Sequence, residues 1–388
     1  MKRRSLLTAS LLASLPIAAY AAETPFKLGV LAPMTGPFQS TGRAINDAVK
    51  LYIKQHGDVV AGRKIEVLLR DDAGVPDNTK RLATELVVRD HVDAFLGFGL
   101  TPLALAVAPV ATQAKIPQIV TVAATSMIVA QSPYIVRPAQ VIPQTATTAA
   151  DWALRNGIKK VVTVVSDYGP GFDAEKWFGD RFTAGGGTII SALRVPLANP
   201  DFAPFLQRVK DAAPDAMFVF VPAGVGGIFA RQFIERGMDK AGMKILATGD
   251  VMDDDNINDM GDAVLGIVTA GTYSAAHPSE LNKKFVAGYK ELTGGRRAGF
   301  IAAYTYDGME LLYRALVKTK GAGDGTALVE AMKGMEFESP RGMISIDAAT
   351  RDVITPVYMR RVEKVDGQLF NVEFETFPAV RDPAKPKP

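Results

Sequence analysis

The sequence predicts an α/β protein of two lobes, each built on a doubly wound parallel sheet. Between residues 27 and 126, short apolar runs alternate with amphipathic stretches four times over. The alternation restarts near residue 141 without a flexible linker, which makes a second lobe of the same class and not a tight sequence repeat. Some runs stop at a glycine-bearing turn that leads into a helix, the place where open α/β sheets hold their ligands.

In chain order, KLGVLAPM (27–34) reads as a buried strand that ends in the turn TGPFQSTG. A helix from Arg43 to about His56 follows, with Ile45, Val49, Tyr52 and Ile53 on one face. Lys64–Arg70 is a second strand, closed by DDAGVPDN, and the helix Thr79–Arg89 leads to a strand at Ala94. A helix from Pro102, a strand at Gln118–Val122 and the turn AATS complete the first alternation.

YIVRPAQVIPQ (134–144) is a proline-punctuated extended crossing. Beyond it come a helix at Ala146–Asn156, a strand at Lys160–Val165 ending in SDYGPGFD, and a helix at Ala174–Thr183. Strands at Thr188–Arg194, Ala216–Val221 and Lys244–Thr248 alternate with helices at Phe202–Asp211, Gly227–Arg236 and Asn256–Met260. An extended run at Gly266–Tyr273 precedes two long helices, Glu280–Leu292 and Ile301–Thr319. The last third turns to strands at Gly342–Ile346, Val357–Val365 and Leu369–Thr376, and DPAKPKP closes the chain as a solvated tail.

The stretch AFLGFGLTP (94–102) carries the first functional signal. Ala94, Phe95 and Leu96 suit a strand covered on both faces, and Gly97 and Gly99 let something approach the backbone. Thr101 stands where an N-cap belongs and Pro102 where the first helical residue belongs. Such a helix end offers unpaired N–H groups and a partial positive charge, which suit a carboxylate or phosphate.

The first residues read as a secretory signal: basic Lys2, Arg3 and Arg4, an apolar stretch from Leu6 to Ile17, and a small-x-small cleavage site at Ala19-Tyr20-Ala21. The stretch is too short, and too broken by Ser and Pro16, for a permanent anchor, and no later run approaches the span of a bilayer. Removing it leaves 41 basic residues (44 less three) against 41 acidic ones, so the mature chain is near neutral. Neither nucleic acid nor an anionic membrane surface is implied. The chain has no cysteine, so an exported form would rest on its core alone. His56, His91 and His277 are scattered without metal spacing, and no GxSxG elbow, Walker loop or HExxH occurs. Neither catalysis nor a cofactor is expected.

KLGVLAPMTGPFQSTG, then DDAG and Asn78, GFGLTP, PQIVTVAATS, SDYGPG, GDA with Gly266, and YTYDG together resemble the periplasmic solute-binding proteins of ABC importers, in particular their leucine/isoleucine/valine-binding branch. The resemblance runs from about Lys27 to Thr376. It implies a type I periplasmic-binding clam-shell joined by three crossings, here near Arg137–Val141, Thr269–Ser274 and Asp347–Pro356. The first lobe would take residues 22–140 and 273–350, the second 141–272 and 351–378, with 379–388 as tail. The family's site, carried over by position, puts the ligand carboxylate on Thr101 and the turn Ala124-Thr125, with Ser126 a substitute one step away. Tyr168 would close over the ligand from the second lobe. An amino-acid ligand needs an acid for its ammonium, since burying that charge unpaired is costly. Asp250 is nearest, although a count back from GDA puts Gly249 at that slot.

Two departures loosen that site. Thr41 or Ser40 stands where a large aromatic often packs, and the second-lobe loop PAGVGG (222–227) carries none. Phe98, Phe38 and Tyr273 could wall a roomier pocket, and the departures lean toward an aromatic or aliphatic carboxylate without an amino group. The expected partners are a small solute and a membrane permease, with the protein a monomer. A sensor module of the same fold would need a signalling partner. A secreted enzyme would have to use Asp71-Asp72 or Asp253-Asp254-Asp255, which turns and caps explain.

Overall fold

The computed structural model describes residues 24–321 and 323–386. The proposed export signal, residues 1–21, lies outside the described residues.

The first lobe opens with β1 (Phe26–Ala32), α1 (Gln39–His56), β2 (Val59–Val60), β3 (Arg63–Asp71) and α2 (Pro76–Val88). It continues with β4 (Ala94–Gly97), α3 (Thr101–Ala114), β5 (Gln118–Val120) and the short β6 (Ile135–Val136). The strands form a sheet of order β2-β3-β1-β4-β5-β6, parallel except where β2 meets β3. Helices cover both faces, which is why β4 reads as an unbroken apolar run, all of it buried.

The second lobe comprises α4 (Ile142–Arg155), β7 (Lys160–Ser166), α5 (Gly169–Ala184), β8 (Thr188–Val195), α6 (Ala203–Ala212) and β9 (Ala216–Phe220). It adds α7 (Gly226–Glu235), β10 (Ile245–Thr248) and β11 (Val268–Gly271). The chain then returns to the first lobe with α8 (Glu280–Leu292), α9 (Phe300–Lys318) and α10 (Gly325–Met332), which share one core with α1. β12 (Glu336–Ser339), β13 (Gly342–Ile346), β14 (Val353–Val365) and β15 (Gln368–Val380) end it. The second sheet runs β12-β13-β14-β11-β10-β9-β7-β8, with β15 also paired to β14. Its β7–β11 core is parallel, whereas β14 joins antiparallel.

Several local expectations differ from this. The helix expected at Asn256–Met260 is instead two 3-10 turns, Ile257–Met260 and Asp262–Val264. α4 starts at Ile142, four residues before the predicted Ala146, because Gln144 reaches back to the Val141 N–H at 2.9 Å. The closing segment is not a free tail. β15 runs on to Val380, Arg381 pairs with Asp347, Asp382 accepts the Ser126 hydroxyl at 2.5 Å, and Lys385 donates to the Ser126 carbonyl at 2.7 Å.

Each crossing is gripped by a buried guanidinium. Arg137, on the first, pairs with Asp352 on the third at 2.6 Å. Arg341 joins Asp307 of α9, Thr355 of the third crossing and the Pro138 carbonyl of the first, at 2.7, 2.9 and 2.5 Å. Arg360 reaches Thr269 and the Tyr273 carbonyl at the second. All these groups are buried, so breaking one partner would strand a charge.

Candidate functional site

The turn after β4 is fixed by contacts that leave no room for a side chain. At Gly97, with φ at +124°, a Cβ would stand 2.3 Å from the Leu31 carbonyl oxygen. Phe98 next donates its N–H to Leu31 and accepts from Ala123, each at 3.1 Å, which brings the 122–125 turn alongside. Its own ring is wholly buried among first-lobe residues such as Leu31 and Ala104 and does not reach the cleft, contrary to its expected place in a pocket wall. α3 starts one residue earlier than expected: Leu100 is the extended cap residue and Thr101 is already helical. The Thr101 hydroxyl therefore caps nothing and pairs with the Thr125 hydroxyl at 2.8 Å.

This geometry leaves donors without acceptors. Leu103 and Ala104 both donate to the Leu100 carbonyl, whereas the N–H groups of Gly99, Leu100, Thr101, Ala124 and Thr125 have no acceptor in the protein among the described residues. A convergent set of free N–H groups at a helix N-terminus recognises an anion.

From the second lobe, Tyr168 stands in extended conformation just ahead of α5, its ring stacked on Phe220 with centroids 6.1 Å apart. The lobes touch along this rim. A Cβ on Gly169 would lie 2.8 Å from Thr125 Oγ1, and the Ser126 N–H donates to Asp173 at 2.8 Å. On the other side, the Phe300 N–H that opens α9 donates to Asp253 at 3.2 Å. The cleft is closed.

Asp250 follows β10 and is only 8% exposed. Gln140 donates to its Oδ2 at 3.0 Å, and the Thr248 hydroxyl and the residue's own N–H also face the carboxylate. Burial pushes its carboxyl up to about 6, only partly offset by its own N–H, the Thr248 hydroxyl, Gln140 and the charge of Arg360. The same burial, with Asp250 nearby, pushes the Tyr168 hydroxyl well up, so it stays protonated. Gly249 cannot serve in place of Asp250: a side chain there would meet the Arg360 guanidinium at 2.6 Å.

Between the lobes lies a small cavity. Of the residues singled out from sequence, Thr41, Thr101, Ala124, Tyr168 and Asp250 line it. Thr125 stands behind Thr101, and Ser126 is turned away to Asp173, Asp382 and Lys385. Tyr273 packs in the first-lobe core against Phe285, and Phe38 packs against the second-lobe core. The walls come from Leu100, Val122, Phe220 and Phe300, joined by Pro222 and Ala223 of the loop that has no aromatic. Sequence reasoning missed Phe220, Phe300 and Gln140. Phe220 ends a strand at the sheet's carboxyl edge, and that position was the available signal. A larger hollow sits at the amino ends of β9, β10 and β11, the edge of the sheet away from the switch-point crevice.

Known proteins resemble the chain throughout. The family model for periplasmic binding proteins matches residues 25–368. Leu/Ile/Val-binding protein homolog 6 of Brucella melitensis biotype 1 is 39% identical over 387 residues, 99% of either protein. A solute binding protein of an ABC transporter from Rhodopseudomonas palustris BisB5, solved in complex with 3,4-dihydroxy benzoic acid, is 62% identical with a TM-score of 0.91. The match covers 93% of this chain and 99% of that one. A counterpart from Rhodopseudomonas palustris HaA2, solved with p-hydroxybenzoic acid, is 40% identical with a TM-score of 0.89, covering 93% and 98%.

Proposed function

The chain belongs to the periplasmic binding protein family as a solute-binding protein for ABC transport, and from that premise we propose that its solute is a small aromatic carboxylate. One observation carries the choice: free backbone N–H groups at one side of a closed cavity whose walls include two aromatic side chains, Phe220 and Phe300. The 62% identical protein bound to 3,4-dihydroxy benzoic acid supports it.

The mechanism is capture. The carboxylate docks on the N–H groups of Gly99, Leu100, Thr101 and Ala124, where no proton transfer is needed and the helix end supplies partial positive charge. The ring lies against apolar side chains, releasing water from both surfaces. The second lobe then brings Tyr168 and Asp250 over it, and the hinge residues absorb the rotation. The closed protein, exported to the periplasm, delivers the solute to a membrane permease.

A second reading, a branched-chain amino acid with its ammonium on Asp250, is favoured by that buried carboxylate in the cavity wall and by the relatives named Leu/Ile/Val-binding. Thermal unfolding against benzoates, phenylpropanoids, aliphatic dicarboxylates and branched-chain and aromatic amino acids separates the two. A ligand at 100 times its dissociation constant adds about 2.7 kcal/mol to folded-state stability. A rise with benzoates and none with leucine is expected; the reverse pattern assigns the site to amino acids.

A further inference from the structure

We propose that Asp250, oriented by Gln140, selects ring-hydroxylated acids over unsubstituted ones by accepting the ring hydroxyl as the second lobe closes. This rests on the aromatic-carboxylate reading and adds what the far side of the cavity reads.

The two lobes offer opposite chemistry. The first presents a cluster of donors, the backbone N–H groups around Thr101 and Ala124. The second presents an acceptor, the carboxylate of Asp250, which lines the cavity and takes a side-chain amide donor, Gln140, on Oδ2. Arg360 makes no hydrogen bond to it: Nε and Nη1 are held by Thr269 and the Tyr273 carbonyl beneath Gly249, and Nη2 finds no partner among the described residues. A closed site holding a bare ring therefore leaves a buried carboxylate with acceptor capacity unused, and that costs free energy. A hydroxyl on the ring supplies the missing donor. Discrimination of this kind is large where a buried polar group would otherwise go unpaired, far larger than an apolar wall can give.

Gln140 makes the acid a fixed feature. Its amide N–H holds Oδ2 at 3.0 Å, and its Oε1 faces the Thr272 hydroxyl at 3.5 Å, which in turn pairs with the Tyr304 hydroxyl at 2.5 Å. Gln140 lies on the first crossing and Thr272 on the second, so the carboxylate takes its aim from the hinge itself. Gln140 is a positioning residue; Asp250 is the one that touches ligand.

The test is calorimetric titration of the mature protein with benzoate, 3- and 4-hydroxybenzoate and their methyl ethers, which keep the ring oxygen but cannot donate. At least one hydroxy acid should bind about tenfold or more tightly than both benzoate and its own ether, the range for a hydrogen bond to a charged group. Asp250→Leu should bring that ratio to within about threefold of unity, and Gln140→Leu should lower it part of the way. The parent comparison needs no variant, so a misfolded substitution does not spare the proposal. Equal binding of hydroxy acid and benzoate by the parent, or a ratio unchanged in folded Asp250→Leu, overturns it while leaving the aromatic-acid reading intact. Binding of leucine with no aromatic acid bound overturns that reading and this one with it.

Discussion

Arg137 and Asp352 meet inside the hinge with two guanidinium nitrogens on one carboxylate oxygen, at 2.7 and 2.6 Å. The pair bolts the first crossing to the third, and both side chains are out of water. Removing one partner strands the other charge. Arg137→Met should cost about 3–5 kcal/mol of stability in urea unfolding, whereas Arg137→Met with Asp352→Leu should cost less than the single change.

Closure buries Asp250, and the sign of the resulting pH effect is fixed. The carboxyl moves from the usual 3.8 to about 6 in the closed form. Below about 3.8 it is protonated open or closed and closure carries no charge penalty. Between 3.8 and about 6 the open form loses its proton first, so closure weakens as pH rises, by at most about 3 kcal/mol for a shift of this size. Benzoate binding should therefore strengthen from pH 7 to pH 5, and Asp250→Asn should flatten that dependence. A profile shared by parent and variant would assign the titration elsewhere.

Gly169 tests closure without touching the ligand. Its backbone needs no positive φ, so alanine is tolerated in the open protein, yet its Cβ would press on Thr125 Oγ1 at 2.8 Å when the lobes meet. Gly169→Ala should weaken ligand affinity roughly tenfold or more, since about 1.4 kcal/mol of hindrance is enough. The unfolding midpoint of the ligand-free protein should stay within a degree or two.

The cradle and the ring can be separated by two substitutions. Thr101→Val keeps the backbone N–H and loses only a hydroxyl already engaged with Thr125, a change worth about 0.5–1.5 kcal/mol. Tyr168→Ala removes the ring stacked on Phe220 and opens the cavity to water, and its loss of affinity should be the larger of the two. Titration of both variants with one ligand checks the order.

The segment after Val380 acts as a strap from the second sheet to the first lobe. A chain ending at Val380 loses the contacts of Asp382 and Lys385 to Ser126 and of Arg381 to Asp347. It should unfold about 1–3 kcal/mol more easily, from one or two stranded partners. An unchanged urea midpoint would mean the strap contributes nothing.

Short-range chemistry in the sequence was enough to place the N-terminus of α3 to within one residue, because Gly97, Gly99 and Pro102 announce the turn locally, but α5 starts at Gly169, five residues ahead of the expected Ala174, with Pro170 in its first turn. The Asp250–Gly249 ambiguity was not resolvable there: Arg360, which forbids a side chain at Gly249, is 111 residues away. Phe220 and Phe300 look like any core aromatic until two lobes meet between them. Phe98 misleads the other way, since a residue beside a binding turn can point inward. The closing segment is rich in proline and lysine and reads as solvated, yet Ser126, 256 residues upstream of Asp382, gives it a dock.

The rims that meet at Ser126 and Asp173, and at Phe300 and Asp253, turn affinity into a matter of timing. A molecule shut inside has no exit of its own, so its dwell time is the waiting time for the halves to part. Handover then depends on whatever pries the rims open. A receiver that grips the two halves and spreads them can empty a tight binder quickly, however slowly the same molecule escapes unaided.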